Sequence, residues 1–322
     1  MARIFTGGGW WGALIPFAIL GAVLIAVLRS TSGPEPSPTP VAATVFVPVF
    51  ERLPPVSGGH YELWFEHPDG GAGRVAAFTV LPRGALFTLT GEPVQDFLVT
   101  ELPPLGSTLL LTVEPGETPV EKRSARVLLR GALQGLEVTF EPVLPDVGGK
   151  HVAMLVAPTD AKAPDTTGVW FVRPAGGTDR TSAGLQLKAL GEGWAYGGFL
   201  TTSAGTVLYM GLFPDPKKAD GSVSFSGSKK GLPFPGEDFV RNPPEGVKFP
   251  LNLADGRTTV TVSLEPDFSK AIVAAEGSFE PFLPLLTLRI PYQQKPGEAF
   301  TLSPVSPDTF PGGTGKFEQR TL

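Results

Sequence analysis

Four acidic residues in the second half of the chain have side chains that could bind a hard cation or transfer protons. Asp215 and Asp220 belong to the stretch DPKKADG, and Glu237 and Asp238 belong to PGED. Calcium loops usually carry acids at alternating positions, because their oxygens must surround one ion. These stretches lack that alternation and include two lysines, so solvated loop charges are the favoured interpretation. We expect no metal and no cofactor.

Two more acids occupy one repeated position. The run TLLLTVEP contains Glu114 and the run TVTVSLEP contains Glu265, each just before a proline. The two carboxylates could serve acid–base chemistry, or each could accept backbone N–H groups at the end of its strand. A position that is used twice favours the structural role.

Other catalytic chemistry has little support in the sequence. The chain of 322 residues has no cysteine, which excludes thiolate catalysis, disulfides and cysteine zinc sites. Its three histidines show no metal-ligand spacing, and there is no G-x-S-x-G motif. The net charge of −5 provides no basic field for nucleic acid. We therefore expect neither an enzyme nor a nucleic-acid-binding protein.

Aromatic residues are the remaining candidates. Trp64 and Trp170 fall in β-rich runs, which favours equivalent core positions in two units. Trp194 and Tyr196 lie among glycines, so the pattern fits a core and a ligand groove equally well. Together with the loop acids they form the predicted binding residues: Trp194, Tyr196, Asp215, Asp220, Glu237 and Asp238.

Strands and turns must position these side chains. Hydrophobic residues make up 42% of the chain and charged residues 18%, a balance that argues against disorder. The 40 glycines and 35 prolines are therefore read as turns between short strands. Each Glu-Pro run follows a tryptophan-containing run, which indicates a duplicated unit. We predict an all-β protein with two tandem Ig-like β-sandwich units.

The domain boundaries follow from these patterns. A stretch rich in loop-forming residues, 202–250, has no counterpart in the first unit and is read as an insertion. It would form either a binding site or a lid over a sheet edge. The predicted segments are a cytoplasmic stub and transmembrane anchor at 1–29, a Pro-rich stalk at 30–44, β-units at 45–147 and 148–291, and a loosely ordered tail at 292–322.

The anchor is an uncharged apolar run at residues 10–28. At 1.5 Å per residue, such a helix nearly crosses a bilayer core of about 30 Å. A cleaved signal peptide is the alternative, but Arg29 follows directly where small residues would mark a cleavage site. We expect a single-pass membrane protein with its N-terminus inside and its bulk extracytoplasmic.

Several short motifs resemble the extracytoplasmic C-terminal domain of RskA-type anti-sigma-K factors. They are GHYELW at 59–64, FTV at 78–80, LTVEP at 111–115 and VLLRG at 127–131, and the second unit looks like a variant of the same progression. The resemblance implies a β domain outside the membrane. The zinc-binding sigma module of that family has no counterpart in the nine residues before the apolar run, so no sigma-factor partner is expected.

The sequence thus predicts a membrane-anchored extracytoplasmic protein that acts in binding, sensing or envelope structure without catalysis. Its partner would be an envelope protein or a glycan. The alternative is an envelope hydrolase or a carbohydrate-binding accessory protein, which a deep cleft with convergent polar side chains would favour.

Overall fold

The structure, a computed structural model, describes residues 42–175, 181–268 and 280–321. Strands make up 45% of the structure and helix 2%, so the prediction of an all-β protein is confirmed. The helical residues are two short 3-10 turns, Asp165–Thr167 and Pro307–Thr309. Within the described ranges no helix has the length and apolar character needed to span a bilayer. The predicted anchor and most of the predicted stalk lie outside those ranges.

Residues 43–320 form one compact unit. The central strands of each sheet are buried at most positions, whereas strands nearer the surface alternate buried and exposed residues. Turns rich in glycine and proline separate them. The strands of the first half are β1 Ala42–Glu51, β2 Gly59–Glu66, β3 Ala72–Val80, β4 Leu86–Phe87, β5 Phe97–Val99, β6 Thr108–Pro115, β7 Val127–Gln134 and β8 Glu137–Pro142.

The second half contains the remaining strands. They are β9 His151–Leu155, β10 Gly168–Trp170, β11 Val172–Pro174, β12 Thr181–Ala183, β13 Trp194–Thr201, β14 Val207–Phe213, β15 Gly236–Asp238, β16 Thr259–Pro266, β17 Leu283–Arg289, β18 Ala299–Pro304 and β19 Gly312–Thr321.

Two large sheets are built from these strands. The first has nine strands in the order β4-β3-β2-β6-β7-β8-β19-β1-β5, and the second has eight in the order β14-β13-β16-β17-β18-β9-β10-β15. Both curl into sandwich-like or barrel-like arrangements. In the first sheet the curl brings Phe97 of β5 against Phe78 of β3, with ring centroids 5.3 Å apart. The strands β11 and β12 form a separate hairpin.

The duplication is visible in the strand register. In the first repeat (β2, β3, β6, β7 and β8), Tyr61 pairs with Val113 on one side and with Phe78 on the other. In the second repeat (β13, β14, β16, β17 and β18), Tyr196 pairs with Leu264 and with Phe213 in the same way. The two Glu-Pro strands are therefore equivalent, which confirms that Glu114 and Glu265 occupy matching strand ends.

Irregular features repeat as well. The pairing of β2 with β3 shifts after Leu63, and that of β13 with β14 shifts after the equivalent Gly198. On the last strand of each repeat, Pro142 pairs with Leu129 and Pro304 with Leu286. Bulges that recur at equivalent positions are built into the unit, because each bends the sheet at a set place.

The predicted equivalence of Trp64 and Trp170 is wrong. Both side chains are buried, with 7% and 4% of their surface exposed. The strand that pairs with the second Glu-Pro strand is β13 rather than β10, so Trp64 matches Phe199. Trp170 lies instead on β10, between β9 and β15.

The segment 292–322, predicted to be a loosely ordered tail, instead contains β18 and β19. Phe300, Leu302 and Phe317 are buried and alternate with exposed residues. Strand β19 lies between β8 and β1, so the last strand of the chain belongs to the first sheet. The prediction failed because the glycines there were read as breaks, whereas Gly315 leaves space for the ring of Phe46.

The predicted insertion at 202–250 is partly scaffold. Its residues 207–213 form β14, the counterpart of β3. The extra length lies after β14 and includes β15, which pairs with β10 at the end of the sheet. Gly231 and Gly236 of this stretch lie against the ring of Trp170. The stretch therefore covers a sheet edge and a buried tryptophan, as the lid interpretation predicted.

Candidate functional site

Asp238, one of the predicted binding acids, is fully buried and used by the fold. Its Oδ1 accepts the indole N–H of Trp170 at 2.7 Å. Its Oδ2 accepts the backbone N–H of Thr159 at 2.7 Å and also the hydroxyl of Thr159. Burial raises the pKa of Asp238 above its usual value, against the opposing effect of these hydrogen bonds.

Glu237 points away from Asp238 along β15 and is also fully buried. Its Oε1 accepts the hydroxyl of Ser226, while Oε2 has no hydrogen-bond partner in the described part of the chain. Burial raises the pKa of Glu237 to about 7, and the nearby carboxylate of Asp220 adds to this shift. Near neutral pH, Glu237 therefore exchanges a proton in a buried environment.

Asp220 and Asp215 lie on the lid-like stretch after β14. Asp220 accepts the backbone N–H of Gly236 at 2.9 Å and that of Ser222 at 3.1 Å, and burial raises its pKa to about 6. Asp215 pairs with Lys218 at 3.3 Å, with the lysine largely exposed. The described residues contain no group of three or more metal-ligating side chains. The described hydrogen bonds and ion pairs of the four acids thus lie within the fold: Asp238 with Trp170 and Thr159, Glu237 with Ser226, Asp220 with Gly236 and Ser222, and Asp215 with Lys218.

Glu114 and Glu265 both accept backbone N–H groups from the connection to the next strand. Glu114 accepts the N–H of Ser124 at 3.0 Å and pairs with Arg126 at 3.3 Å. Glu265 accepts the N–H of Phe282 at 2.9 Å. Burial raises the pKa of Glu265 to about 7. The structural role expected for this repeated position is confirmed.

The first repeat contains a buried pair of ionisable residues, His60 and Glu62, which was not predicted from the sequence. His60 Nε2 lies 3.0 Å from Glu62 Oε1, and Nδ1 lies 2.8 Å from the carbonyl oxygen of Gly116. Both ring nitrogens face acceptors, which suits the doubly protonated imidazolium. Burial opposes this charge, but the bonds to Glu62 and Gly116 and the field of Glu114 outweigh it and raise the pKa of His60.

Tyr196 is a core residue rather than a groove residue. Its ring is fully buried and its hydroxyl donates to the carbonyl oxygen of Lys188 at 3.0 Å. The equivalent Tyr61 donates to the carbonyl oxygen of Pro54 at 2.6 Å. Burial raises the pKa of Tyr196 to about 12. Because both tyrosines make the same kind of bond, this residue serves the fold.

Trp194 is the predicted aromatic binding residue that remains partly exposed. It lies at the start of β13, packs near Phe282 with ring centroids 6.2 Å apart, and lines two open clefts between the repeats. The equivalent position in the first repeat is Gly59. The scaffold therefore does not require a tryptophan here.

The seam between the repeats has approximate two-fold character. Gly59 of the first repeat lies against Phe268 of the second, and Gly193 of the second lies against Arg126 of the first. The guanidinium of Arg126 also lies over the ring of Phe268, 5.4 Å from its centroid. In each repeat, the turn at the start of the first strand thus contacts the segment that follows the Glu-Pro strand of the other repeat. The two halves of the seam differ at one equivalent position, which is Gly59 in the first repeat and Trp194 in the second.

Two clefts open along this seam. The first, called the polar cleft here because its lining includes Arg126, Glu192 and Asp267, has a volume of about 460 Å³. The second, called the apolar cleft because most of its lining is aliphatic, has a volume of about 430 Å³. The polar cleft is lined by Pro115, Arg126, Leu190, Gly191, Glu192, Gly193, Trp194, Pro214, Asp267 and Phe268. The apolar cleft is lined by Glu66, Leu110, Arg123, Ala125, Val127, Arg130, Val143, Leu144, Pro145, Leu190, Trp194 and Leu264.

The clefts could not be read from the sequence, because their walls come from distant segments of both repeats. The one local signal was the glycine pair around Glu192, which left Trp194 without bulky neighbours in sequence. Comparison with known proteins adds no assignment: no family model, no curated protein and no solved structure matches this chain.

Proposed function

We propose that this protein is a non-catalytic binding protein of the cell envelope. In this proposal residues 10–28 anchor it in the membrane, the β-repeats lie outside the cytoplasm, and the seam around Trp194 binds the ligand or partner. The resemblance to the extracytoplasmic domains of RskA-type anti-sigma-K factors supports the topology.

The observation that carries the proposal is the contrast between Trp194 and its counterpart, Gly59. The aromatic ring of Trp194 is partly exposed, whereas the equivalent position of the first repeat has no side chain. Exposed aromatic rings beside open clefts are typical of binding surfaces, because they bury much area at little conformational cost. By contrast, the buried acids and His60 are committed to internal hydrogen bonds.

Binding can be tested with full-length protein purified from detergent-solubilised envelopes by cross-linking and affinity capture. We expect a defined partner or glycan fraction to be lost with Trp194→Ala and with Glu192→Lys. Glu192 is exposed, so its substitution leaves the fold intact and controls for a loss of stability in the tryptophan variant. Tyr292→Ala, which removes an aromatic ring that is 72% exposed, is the matched control.

The result that contradicts binding at the seam is capture that is equal in all of these variants. The membrane part of the proposal is tested separately. Full-length protein should resist extraction by alkaline carbonate, and release into the soluble fraction would rule out the anchor.

A further inference from the structure

We infer that the polar cleft binds a neutral, polyhydroxylated ligand, a glycan strand, with one sugar ring stacked on Trp194. This inference rests on the proposed function and specifies the ligand class for the same seam.

The charged residues that line the polar cleft disfavour an acidic ligand. Arg126 is already paired with Glu114, and it also donates to the carbonyl oxygen of Val113 at 2.8 Å. Glu192 is exposed and makes no ion pair or hydrogen bond within the described ranges. A strongly acidic ligand would therefore meet the carboxylate of Glu192 and an arginine that is already occupied, so charge complementarity disfavours it.

The lining suits the two chemical faces of a sugar ring. A pyranose has an apolar C–H face and a rim of hydroxyl groups. Trp194 offers an aromatic surface for the apolar face, and the space beside Gly191 is open. Glu192 accepts hydrogen bonds from hydroxyl groups at the rim.

The size of the cleft is consistent with this ligand class. Its volume of about 460 Å³ lies within the range of roughly 300–1,000 Å³ that is usual for small-ligand sites. Because the cleft is open, a longer glycan strand can extend beyond the sugar stacked on Trp194. The apolar cleft on the other side of Trp194 has mainly aliphatic walls, which suit a peptide side chain better than a sugar.

The first repeat provides an internal comparison. At the position of Trp194 it has Gly59, where even a Cβ atom would lie 2.5 Å from the carbonyl oxygen of Glu114. The space beside Gly59 is therefore filled by the backbone of Glu114 and by the ring of Phe268. The stacking surface therefore exists in the second repeat, where the turn carries Glu192 and Trp194 instead.

The test is binding of chitotetraose and cellotetraose to the full-length chain, followed by titration calorimetry and by tryptophan fluorescence. The detergent must lack a sugar headgroup, since a maltoside would compete. We expect saturable binding of at least one oligosaccharide, weakened about tenfold by Trp194→Ala, which corresponds to about 1.4 kcal/mol. Trp194→Phe should weaken it less, because a ring remains for stacking. Glu192→Gln should weaken it several-fold, and Tyr292→Ala should leave it unchanged.

Other results would contradict either the ligand class or the proposed binding function. Absence of oligosaccharide binding, or equal binding to native protein and Trp194→Ala, rejects the glycan. If a peptide with apolar and acidic residues binds instead in a Trp194-dependent manner, the ligand class is wrong and the proposed function stands. If envelope capture is also independent of Trp194, the binding function at the seam is rejected as well.

Discussion

The two repeats share the same strand pairing but carry different residues on their first strands, β2 and β13. In β2 the positions on either side of Tyr61 hold His60 and Glu62, which are buried and form an ion pair. In β13 the positions on either side of Tyr196 hold Ala195 and Gly197. The apolar contacts that specify the unit are retained in both, whereas the buried charges are present in one. The apolar packing is therefore common to both repeats, whereas the buried pair of His60 and Glu62 belongs to the first repeat.

The largest expected effect concerns the shared packing. Phe78 and Phe213 are equivalent, fully buried and stacked near Tyr61 and Tyr196, with ring centroids 5.7 and 5.8 Å apart. Phe78→Ala and Phe213→Ala should each lower the free energy of unfolding by about 3–5 kcal/mol, the usual cost of a large aromatic truncation. Urea denaturation measures both. A cost near zero for one of them would show that the repeats do not share this core.

The buried pair of His60 and Glu62, which the second repeat lacks, should have the next largest effect on stability. Glu62→Ala removes the carboxylate that pairs with the buried His60, and should cost about 3 kcal/mol or more, the usual range when one partner of a buried pair is removed. The double variant His60→Ala with Glu62→Ala, which resembles the second repeat, should cost clearly less than the sum of the two single variants. Additive costs in this double-mutant cycle would mean that the pair does not interact.

The lid stretch after β14 and the first repeat should both become less stable as the pH rises, because Glu237 gains a charge and His60 loses one. The pKa of Glu237 is raised to about 7 in the fold from about 4.5 when unfolded, so its protonated form is favoured in the folded state. Its contribution is therefore complete below about pH 4.5 and is lost as the pH rises to about 7. His60 has a raised pKa too, so its stabilising charge is lost above its usual titration range.

Glu237→Gln separates these two effects. A neutral amide should remove the loss of stability between about pH 4.5 and 7 that Glu237 causes, a difference of up to about 3 kcal/mol. The loss at higher pH, which depends on His60, should remain. Hydrogen exchange of Gly236–Asp238 as a function of pH is the local measurement. An unchanged pH profile in Glu237→Gln would show that this carboxyl is not titrating in the folded lid.

The smallest expected effect concerns the hydroxyl groups of the two equivalent tyrosines, Tyr61 and Tyr196. Tyr61→Phe and Tyr196→Phe each remove one hydroxyl that donates to a carbonyl oxygen while the ring stays in place. Each substitution should cost about 1 kcal/mol, the usual net value of a hydrogen bond. Thermal unfolding can compare the two. A large difference between them would mean that the equivalent tyrosines do not make equivalent contributions.

The sequence predicted the parts of the fold that are set by local pattern. The Glu-Pro runs identified the duplication because both end the same strand of the repeat. The tryptophan of β10 misled the alignment, since the true counterpart of β2 reads WAYGGFLT and shares with it only the central tyrosine. That tyrosine, two residues after a glycine in the first repeat and two after a tryptophan in the second, was the signal that sequence reasoning missed.

The candidate site depended on long-range contacts. Trp194 was predicted from its glycine-rich surroundings, but Arg126 and Phe268, which line the same cleft, come from the other repeat and from after β16. The acids of the lid attracted attention because they are dense in the sequence. The burial of Glu237 and Asp238 follows from the pairing of β15 with β10, which sequence reasoning did not predict.

Strand β19 has a consequence for how the protein is made. It is the last of the described strands in chain order, yet it lies between β8 and β1, which both belong to the first half of the chain. Until residues 312–321 have been synthesised, β8 and β1 each have an unpaired edge, with which other extended chains can pair. The first sheet is therefore complete only after the whole second half has been synthesised. A chain that is truncated before residue 312 retains these unpaired edges in its N-terminal half.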